Sequence, residues 1–427
     1  MKRGSPGLPR SWRGLAGLLS SYGATLSANR MISIAVPWFV LTTTGSAADT
    51  GLIVFCQIAP FAVVQVLAGP LIDKLGARRI SITGDVVATA AMISVPLLHA
   101  AHALPLWALM VLMALEGAAD GPSSTAKSTF LPSVSRAARM PIERGTGLIT
   151  AVERTATTVG PAAAGGLVAL IGAANVLWFS AALFGASAII VRATLTDPEP
   201  DPAALAARET ERYLTRLRQG AAFLRREDLL RTIVGMLVVT NLLDQSFFAV
   251  LLPVWARESG YGVQTVGLVI SVFGATSIIA AVAAAAFSAR LPRRLTYLVG
   301  FVVGGIPRFP AMALGFPRWA VLAVFAVGGL GSGFINPVIG AVIYERIPAP
   351  LMGRVRTLMG GLEWSGIPFG GLFAAAMIAV SGLTGALWIV GGCYLAAIVV
   401  PGLRPAWSNM RPAPPEAKPV PEPVRAE

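Results

Sequence analysis

Charge is what this chain has least of. Only 13% of its 427 residues are Asp, Glu, Lys or Arg, against 55% hydrophobic, and the mean hydropathy is +0.70. That leaves too little polar surface to cover a water-soluble fold of two or three domains, so lipid must be the solvent. Cysteine is nearly missing: Cys56 and Cys393 are the whole supply, and both lie in apolar runs, where they read as small packing residues. The only histidines, His99 and His102, sit together near one end of a span, and neither H-E-x-x-H nor G-x-S-x-G occurs. This argues against a membrane enzyme acting on lipid and against a metal site. Lysine appears only as Lys2, Lys74, Lys127 and Lys418, none in a G-x-x-x-x-G-K-S/T phosphate loop. ATP hydrolysis in cis is therefore set aside, and no cofactor is expected.

What the chain does have is long apolar runs. A helix needs about 20 mostly apolar residues to cross a bilayer, and the runs fall at 15–42, 51–71, 80–100, 105–126, 145–171, 174–191, 232–254, 263–287, 295–315, 319–341, 357–380 and 385–403. The longest polar segment splits them into two sets of six, which gives an N-terminal bundle (1–193), a linker (194–231), a C-terminal bundle (232–405) and a Pro-rich tail (406–427). Within the linker, Asp197-Pro198-Glu199-Pro200-Asp201-Pro202 reads as solvated chain. Residues 203–226 read as an amphipathic helix with Leu214, Leu217, Ala221 and Leu224 on one stripe. The tail is too polar and Pro-rich to bury a core and is expected to be disordered. The basic start leads into a run too long for a signal peptide and without a small-residue cleavage site, so the first span is expected to be retained.

A net charge of +13 would suggest nucleic acid, were it not for where the cations fall. With the N-terminus inside, 29 of the 34 Lys and Arg lie in cytoplasmic segments; Arg257 and Arg318 lie outside, and Arg30, Arg154 and Arg308 within spans. This is the positive-inside bias that orients membrane helices, and it puts both termini in the cytoplasm. No soluble basic domain is left to hold nucleic acid.

Between the second and third runs lies Gly69-Pro70-Leu71-Ile72-Asp73-Lys74-Leu75-Gly76-Ala77-Arg78-Arg79. The spacing G-x-x-x-D-K-x-G-x-R-R resembles the loop between helices two and three of the major facilitator superfamily. That resemblance implies an all-α integral membrane protein of twelve transmembrane helices in two pseudo-symmetric six-helix bundles, with the substrate site between them near the midplane. It also implies that Asp73 faces the N-terminus of helix eleven, where the helix dipole favours a carboxylate, and holds the halves together inside. Lys74, Arg78 and Arg79 would add ion pairs or contact anionic lipid; the plainer reading is that they only set topology. Gly160-Pro161-Ala162-Ala163-Ala164-Gly165-Gly166 is similar, with spacing shifted by one residue, to the glycine-proline helix of exporters in that superfamily. Pro frees a carbonyl and Gly lets helices touch, giving a bendable contact between halves. With Ser33-Ile34-Ala35-Val36-Pro37-Trp38 and Gly353-Arg354-Val355-Arg356, the chain resembles the macrolide and multidrug efflux branch. The resemblance implies a monomer in the cell's inner (plasma) membrane that exports an amphiphilic small molecule by alternating access, driven by the proton gradient. An importer or uniporter of a metabolite is the alternative on the same fold.

An ionisable side chain at mid-bilayer costs roughly 2.5–3.5 kcal/mol on insertion scales, so those that persist face the bundle interior. Span one carries Asn29, Arg30 and Ser33; span four carries Glu116 and Asp120, one turn apart. Glu153 and Arg154 lie in span five, Asn241, Asp244 and Gln245 on one face of span seven, and Glu363 in span eleven. Asp244 lies about 18 Å into its span; burial disfavours a charged carboxylate, so it is the leading proton site, with a structural ion pair to Arg30 or Arg154 as the competing reading. Glu153 and Glu363 are shallower and could equally be gate residues. Asp120 reads as a capping or surface charge, and Arg308 as a cation that snorkels outward. Glu116 stands near where many proton-driven drug exporters carry an arginine. A faint repeat supports the two halves: 288–294 is a worn counterpart of the charged turn, and Glu153, Pro161, Gly165 and Gly166 echo Glu363, Pro368, Gly370 and Gly371.

Overall fold

Helix is the only regular structure a lipid-facing single chain of this pattern can adopt without closing a barrel, because every backbone N–H and C=O must be satisfied within its own segment. The computed structural model, which describes residues 11–197, 213–287, 292–348 and 351–403, is accordingly helical from end to end, with no strand among the described residues. The first set of helices comprises α1 (Arg13–Thr44), α2 (Ala47–Val66), α3 (Ala68–Leu75), α4 (Ala77–Ala100), α5 (Leu106–Thr129), α6 (Leu131–Ala137), α7 (Ile142–Ile171) and α8 (Ala173–Thr194). After α9 (Tyr213–Arg226) come α10 (Asp228–Ser246), a π-helical turn at Phe247–Leu251, α11 (Leu252–Glu258), α12 (Val263–Phe287), α13 (Arg293–Gly305), α14 (Arg308–Ala313), α15 (Arg318–Gly333), α16 (Ile335–Arg346), α17 (Met352–Ser365) and α18 (Gly370–Gly402).

Nine helical stretches among the described residues are long and apolar enough to cross a membrane. The last, Met352–Gly402, has 51 residues and would reach about 76 Å as one straight helix. It is interrupted at Gly382, whose φ of 67° and ψ of 178° are not helical. Tight connections carry the expected punctuation: Gly45 closes α1 at φ 72°, and the Ser46 hydroxyl accepts the Asp49 N–H at 3.1 Å to cap α2. Large apolar side chains such as Leu170, Ile189, Val282 and Val380 point outward, as lipid allows.

Helices α1, α4, α5 and α8 pack as one group joined by α2, while α12 with α15, α13 with α15, and α10 with α18 build the second. The basic helix ends gather at one end of the molecule: the Arg13 guanidinium donates to the Ala193 carbonyl at 3.1 Å and that of Arg78 to the Arg192 carbonyl at 2.6 Å, and Arg293 pairs with Glu345 at 2.6 Å. Towards the opposite end the two groups touch through α7 against α12 and α2 against α18. A Cβ at Gly51 would sit 2.4 Å from the Gly371 carbonyl oxygen, and one at Gly267 would sit 2.2 Å from that of Pro161, so only glycine permits these approaches. The amphipathic linker helix packs as α9 against α17 and α10, with Gly220 on the Arg354 backbone and Leu224 buried; both contacts belong to the second group. The Pro-rich part of the linker after Asp197, residues 288–291 of the worn charged turn, and the tail lie outside the described residues.

Candidate functional site

Because the halves meet at one end, a space is left between them. A cavity of about 630 Å³ lies on the basic side, lined by Asn29, Arg30, Glu116, Asp120, Glu153 and Arg154 among others, with Phe61 and Trp364 as aromatic walls. A second, of about 400 Å³, continues it between α7, α12 and the π turn, where Phe248 and Phe273 supply the apolar wall. Both are lined by Arg30, Ser33, Arg154, Thr157, Gln245 and Ala249, so they adjoin at a polar neck.

Each carboxylate in this space is held by a neutral donor. Gln57 Nε2 donates to Glu116 Oε2 at 2.9 Å, Asn29 Nδ2 to Asp120 Oδ2 at 3.0 Å, and the Tyr22 hydroxyl to Glu153 Oε1 at 2.6 Å. Glu116 and Asp120 are both buried, so the reading of Asp120 as a surface or capping charge is corrected: α5 turns that face into the bundle. Arg30 sits against Gly160, where a Cβ would meet the Arg30 Cβ at 2.9 Å. The first glycine of the exporter-like helix thus makes room for a cation. Of the others, Gly165 lies on the backbone of α12, an added Cβ coming within 3.0 Å of the Val263 carbonyl oxygen; Gly166 has nothing within 4 Å. Next to Pro161, the Ala162 N–H donates across the halves to Ser271 Oγ at 2.9 Å.

Asp244 is not among the residues lining either cavity. It pairs with Arg308, not with Arg30 or Arg154. Arg308 does not snorkel: it is 3% exposed, its guanidinium carbon 4.5 Å from the Phe247 ring centre, 5.0 Å from that of Phe309 and 5.1 Å from that of Tyr394. The break at Ile306 and Pro307 between α13 and α14, together with the π turn in the neighbouring helix, brings these groups together. Asn241 Nδ2 donates to the Glu363 carbonyl at 3.0 Å, tying α10 to α17. The Glu363 side chain is half-buried, and it too is not among the cavity-lining residues.

The charged turn is helical from Ala68 to Leu75 and is stopped by Gly76 at φ 87°. Gly69 is not tightly packed; Asp73, Lys74 and Arg79 are on the surface or partly exposed. Arg78 turns inward to its own half: its backbone N–H donates to Asp197 Oδ1 at 2.7 Å, which joins the start of α4 to the linker.

One polar cluster was not expected from the sequence. Lys127, placed there among the cytoplasmic cations, is 0% exposed and pairs with Asp85, itself 1% exposed, at 2.8 Å. Ser123 and Ser187 donate to the same carboxylate at 2.8 and 2.6 Å, and Lys127 also donates to Thr25, so α1, α4, α5 and α8 share one network. Its signal was an aspartate five residues inside the third run and a lysine one residue past the drawn end of the fourth. Tyr22 and Gln57 were also passed over, although Tyr22, Asn29 and Ser33 mark a polar stripe at helical spacing on α1. Among the described residues no cluster of His, Cys, Asp and Glu fits a metal ion.

A family model described as Major Facilitator Superfamily matches residues 18–239 and 234–426. The chain is 29% identical over 384 residues to the multidrug efflux pump Tap of Mycobacterium tuberculosis, covering 87% of this chain and 89% of that one. It is 27% identical over 360 residues to the protein of that name from Mycolicibacterium fortuitum, covering 83% and 87%. Among solved structures, the D323A mutant of the nucleoside transporter NupG superposes with a TM-score of 0.73 at 19% identity, covering 93% of this chain and 99% of that one, a likeness of fold.

Proposed function

The chain belongs to the major facilitator superfamily, a family of transporters and not of enzymes, and on that premise we propose that it is a proton-coupled exporter of amphiphilic small molecules working by alternating access. The observation that carries the reading is the cavity between the halves, apolar and aromatic on its walls, with ionisable groups at its neck, and closed towards one end by glycine contacts. Such a space suits a molecule with an apolar body and a polar group. The efflux direction is supported by the similarity to multidrug efflux pumps.

In this reading the helices make twelve crossings, six in each half, with Gly382 as the turn between the last two and both termini in the cytoplasm; the protein is a monomer in the inner (plasma) membrane. The basic end is then cytoplasmic, and the structure corresponds to the state open to the inside. Export requires that the glycine contacts part while the basic ends close, a rocking of one half against the other. Asp73 serves that second state, holding the halves at the cytoplasmic face.

The proton role passes from Asp244 to the pair on α5. Asp244 already has a cationic partner in Arg308, whereas Glu116 and Asp120 are buried one turn apart and face neutral amides. Two such carboxylates cannot both ionise without repulsion, and a shared proton relieves it. Facing out, the pair takes up that proton, and facing in, with substrate bound, it releases the proton to the other side.

The test is dye uptake into inside-out proteoliposomes under an imposed pH gradient, with and without protonophore. Gradient-driven accumulation by the native protein and its loss in Glu116→Gln, with dye binding retained, is the expected result. If uptake persists in Glu116→Gln and fails in Asp244→Asn, the proton site is Asp244; equilibration without accumulation in the native protein makes the chain a facilitator.

A further inference from the structure

The two guanidinium groups at the neck differ from every acid around them. Glu116, Asp120 and Glu153 each accept a hydrogen bond, from Gln57, Asn29 and Tyr22, although Asp120 Oδ1 is buried without a partner. Among the described residues, neither Arg30 nor Arg154 has an ion-pair or side-chain hydrogen-bond partner, and Arg30 Nε is buried without one. A guanidinium offers five N–H donors in a planar fork matched to carboxylate geometry. Arg30, half-buried with its Nε unmatched, is an unmet demand for an acceptor, and Arg154 stands exposed on the same neck. Both arginines line both cavities, so whatever meets the demand has apolar walls on either side, Phe248 and Phe273 in one direction and Phe61 and Trp364 in the other.

Resting on the reading of this cavity as the transport site, we infer that the substrates are amphiphiles carrying a carboxylate or similar planar oxyanion, and that Arg30 and Arg154 are the residues that select for it. The acids at the neck do not oppose this. Asp120 and Glu153 lie near enough to Arg30 to offset part of its charge, which keeps the site from holding an anion too tightly to release. A cationic group elsewhere on the same molecule meets the Glu153 carboxylate, which lines the same cavity. Zwitterionic aromatic compounds therefore fit better than simple lipophilic cations. Arg154, open to the cavity, supplies the first contact, and Arg30, held against Gly160, the fixed one.

The discriminating probes are rhodamine B, an aromatic cation with a free carboxylate, and its ethyl ester, the same cation without it. Binding to the purified full-length protein is followed by fluorescence anisotropy in maltoside detergent, which offers no phosphate headgroup. The native protein is expected to bind the acid about tenfold more tightly than the ester, as a charge-assisted bidentate contact implies. Arg154→Gln and Arg30→Gln should each remove most of that preference by weakening the acid dye and not the ester, and Arg154→Lys should restore part of it. Arginines that only balance the neighbouring acids would shift both dyes together, and that result overturns the inference. Equal binding of the two dyes by the native protein, or a preference that survives both glutamine variants, overturns it too while leaving the cavity reading intact. Binding of neither dye strikes the cavity reading itself. In a second arm, phosphatidylglycerol is added; if it competes with the acid dye and not with the ester at the native neck, and does so less in the arginine variants, the oxyanion site belongs to lipid headgroups and the substrate assignment falls.

Discussion

The first helical group closes a buried charge network across four helices, whereas the second breaks more of its long helices. In the first, Asp85 and Lys127 close a network across α1, α4, α5 and α8, and the cavity-lining Arg30, Glu116, Asp120, Glu153 and Arg154 all stand on helices packed around it. In the second, one ion pair sits in an aromatic box, and the chain is interrupted at the π turn, at Ile306 and Pro307, at Phe334, at Gly366 and at Gly382. The two helical groups thus differ in build. One half holds polar groups in fixed geometry, and the other supplies apolar wall and the points at which helices can bend.

That division predicts that the two buried ion pairs are unequal. Lys127→Met leaves the buried Asp85 without its cationic partner, and breaking such a pair costs about 3–5 kcal/mol. The variant should lose most of its folded yield in detergent, read by size-exclusion chromatography and thermal unfolding, and the double variant Asp85→Asn/Lys127→Met should recover much of it. Arg308→Met should be milder, because the Asp244 side chain keeps 32% of its exposure and water can take up part of its charge. A loss of about 1–2 kcal/mol is expected there. If the two single variants melt alike, the contrast between a fixed half and a pliant half fails.

The contact between halves gives the next test. At Gly51 a side chain would collide with the backbone of Gly371, and Gly51→Val should destabilise this closed arrangement by about 1–3 kcal/mol without touching either core. Its signature is functional: cysteine pairs placed across the far end should label faster, and transport should slow, while the melting temperature barely moves. Unchanged labelling would mean that the halves are held by something other than these glycines.

How much of this was legible beforehand depended on whether the signal was local. Helical character and the membrane class followed from run length and hydropathy, and the charged turn with the glycine-proline segment pointed to the superfamily. Asn29, Arg30, Glu116, Glu153 and Arg154 were recognisable as interior groups because lipid forbids them elsewhere; Asp120, near the end of its span, read as a surface or capping charge and is buried. The partners of these groups were not recognisable. Asp244 and Arg308 are 64 residues apart, and only the break before α14 makes them neighbours. Lys127 reads as a cytoplasmic cation from the sequence because the apolar run before it ends at Ala126. In a bilayer, the depth at which a helix ends decides whether a lysine is a topology signal or a buried ion, and sequence fixes that depth only to within a turn.

The smallest effect separates two neighbouring glycines that the sequence presents as a pair. Gly165 lies on the α12 backbone, so Gly165→Ala must push the halves apart; Gly166 faces open space. Replacing an unconfined helical glycine by alanine stabilises a helix by roughly 0.5–1 kcal/mol. Gly166→Ala should therefore raise the melting temperature slightly and leave transport untouched, if the segment works only as a close contact through Gly165. Suppose instead that it must bend during the cycle, as the exporter-like pattern implies. Gly166→Ala would then stabilise the protein and slow transport together. A rise in stability bought at the expense of turnover would place a hinge on the first half, in α7, and the contrast between a fixed and a pliant half would have to be redrawn around that helix.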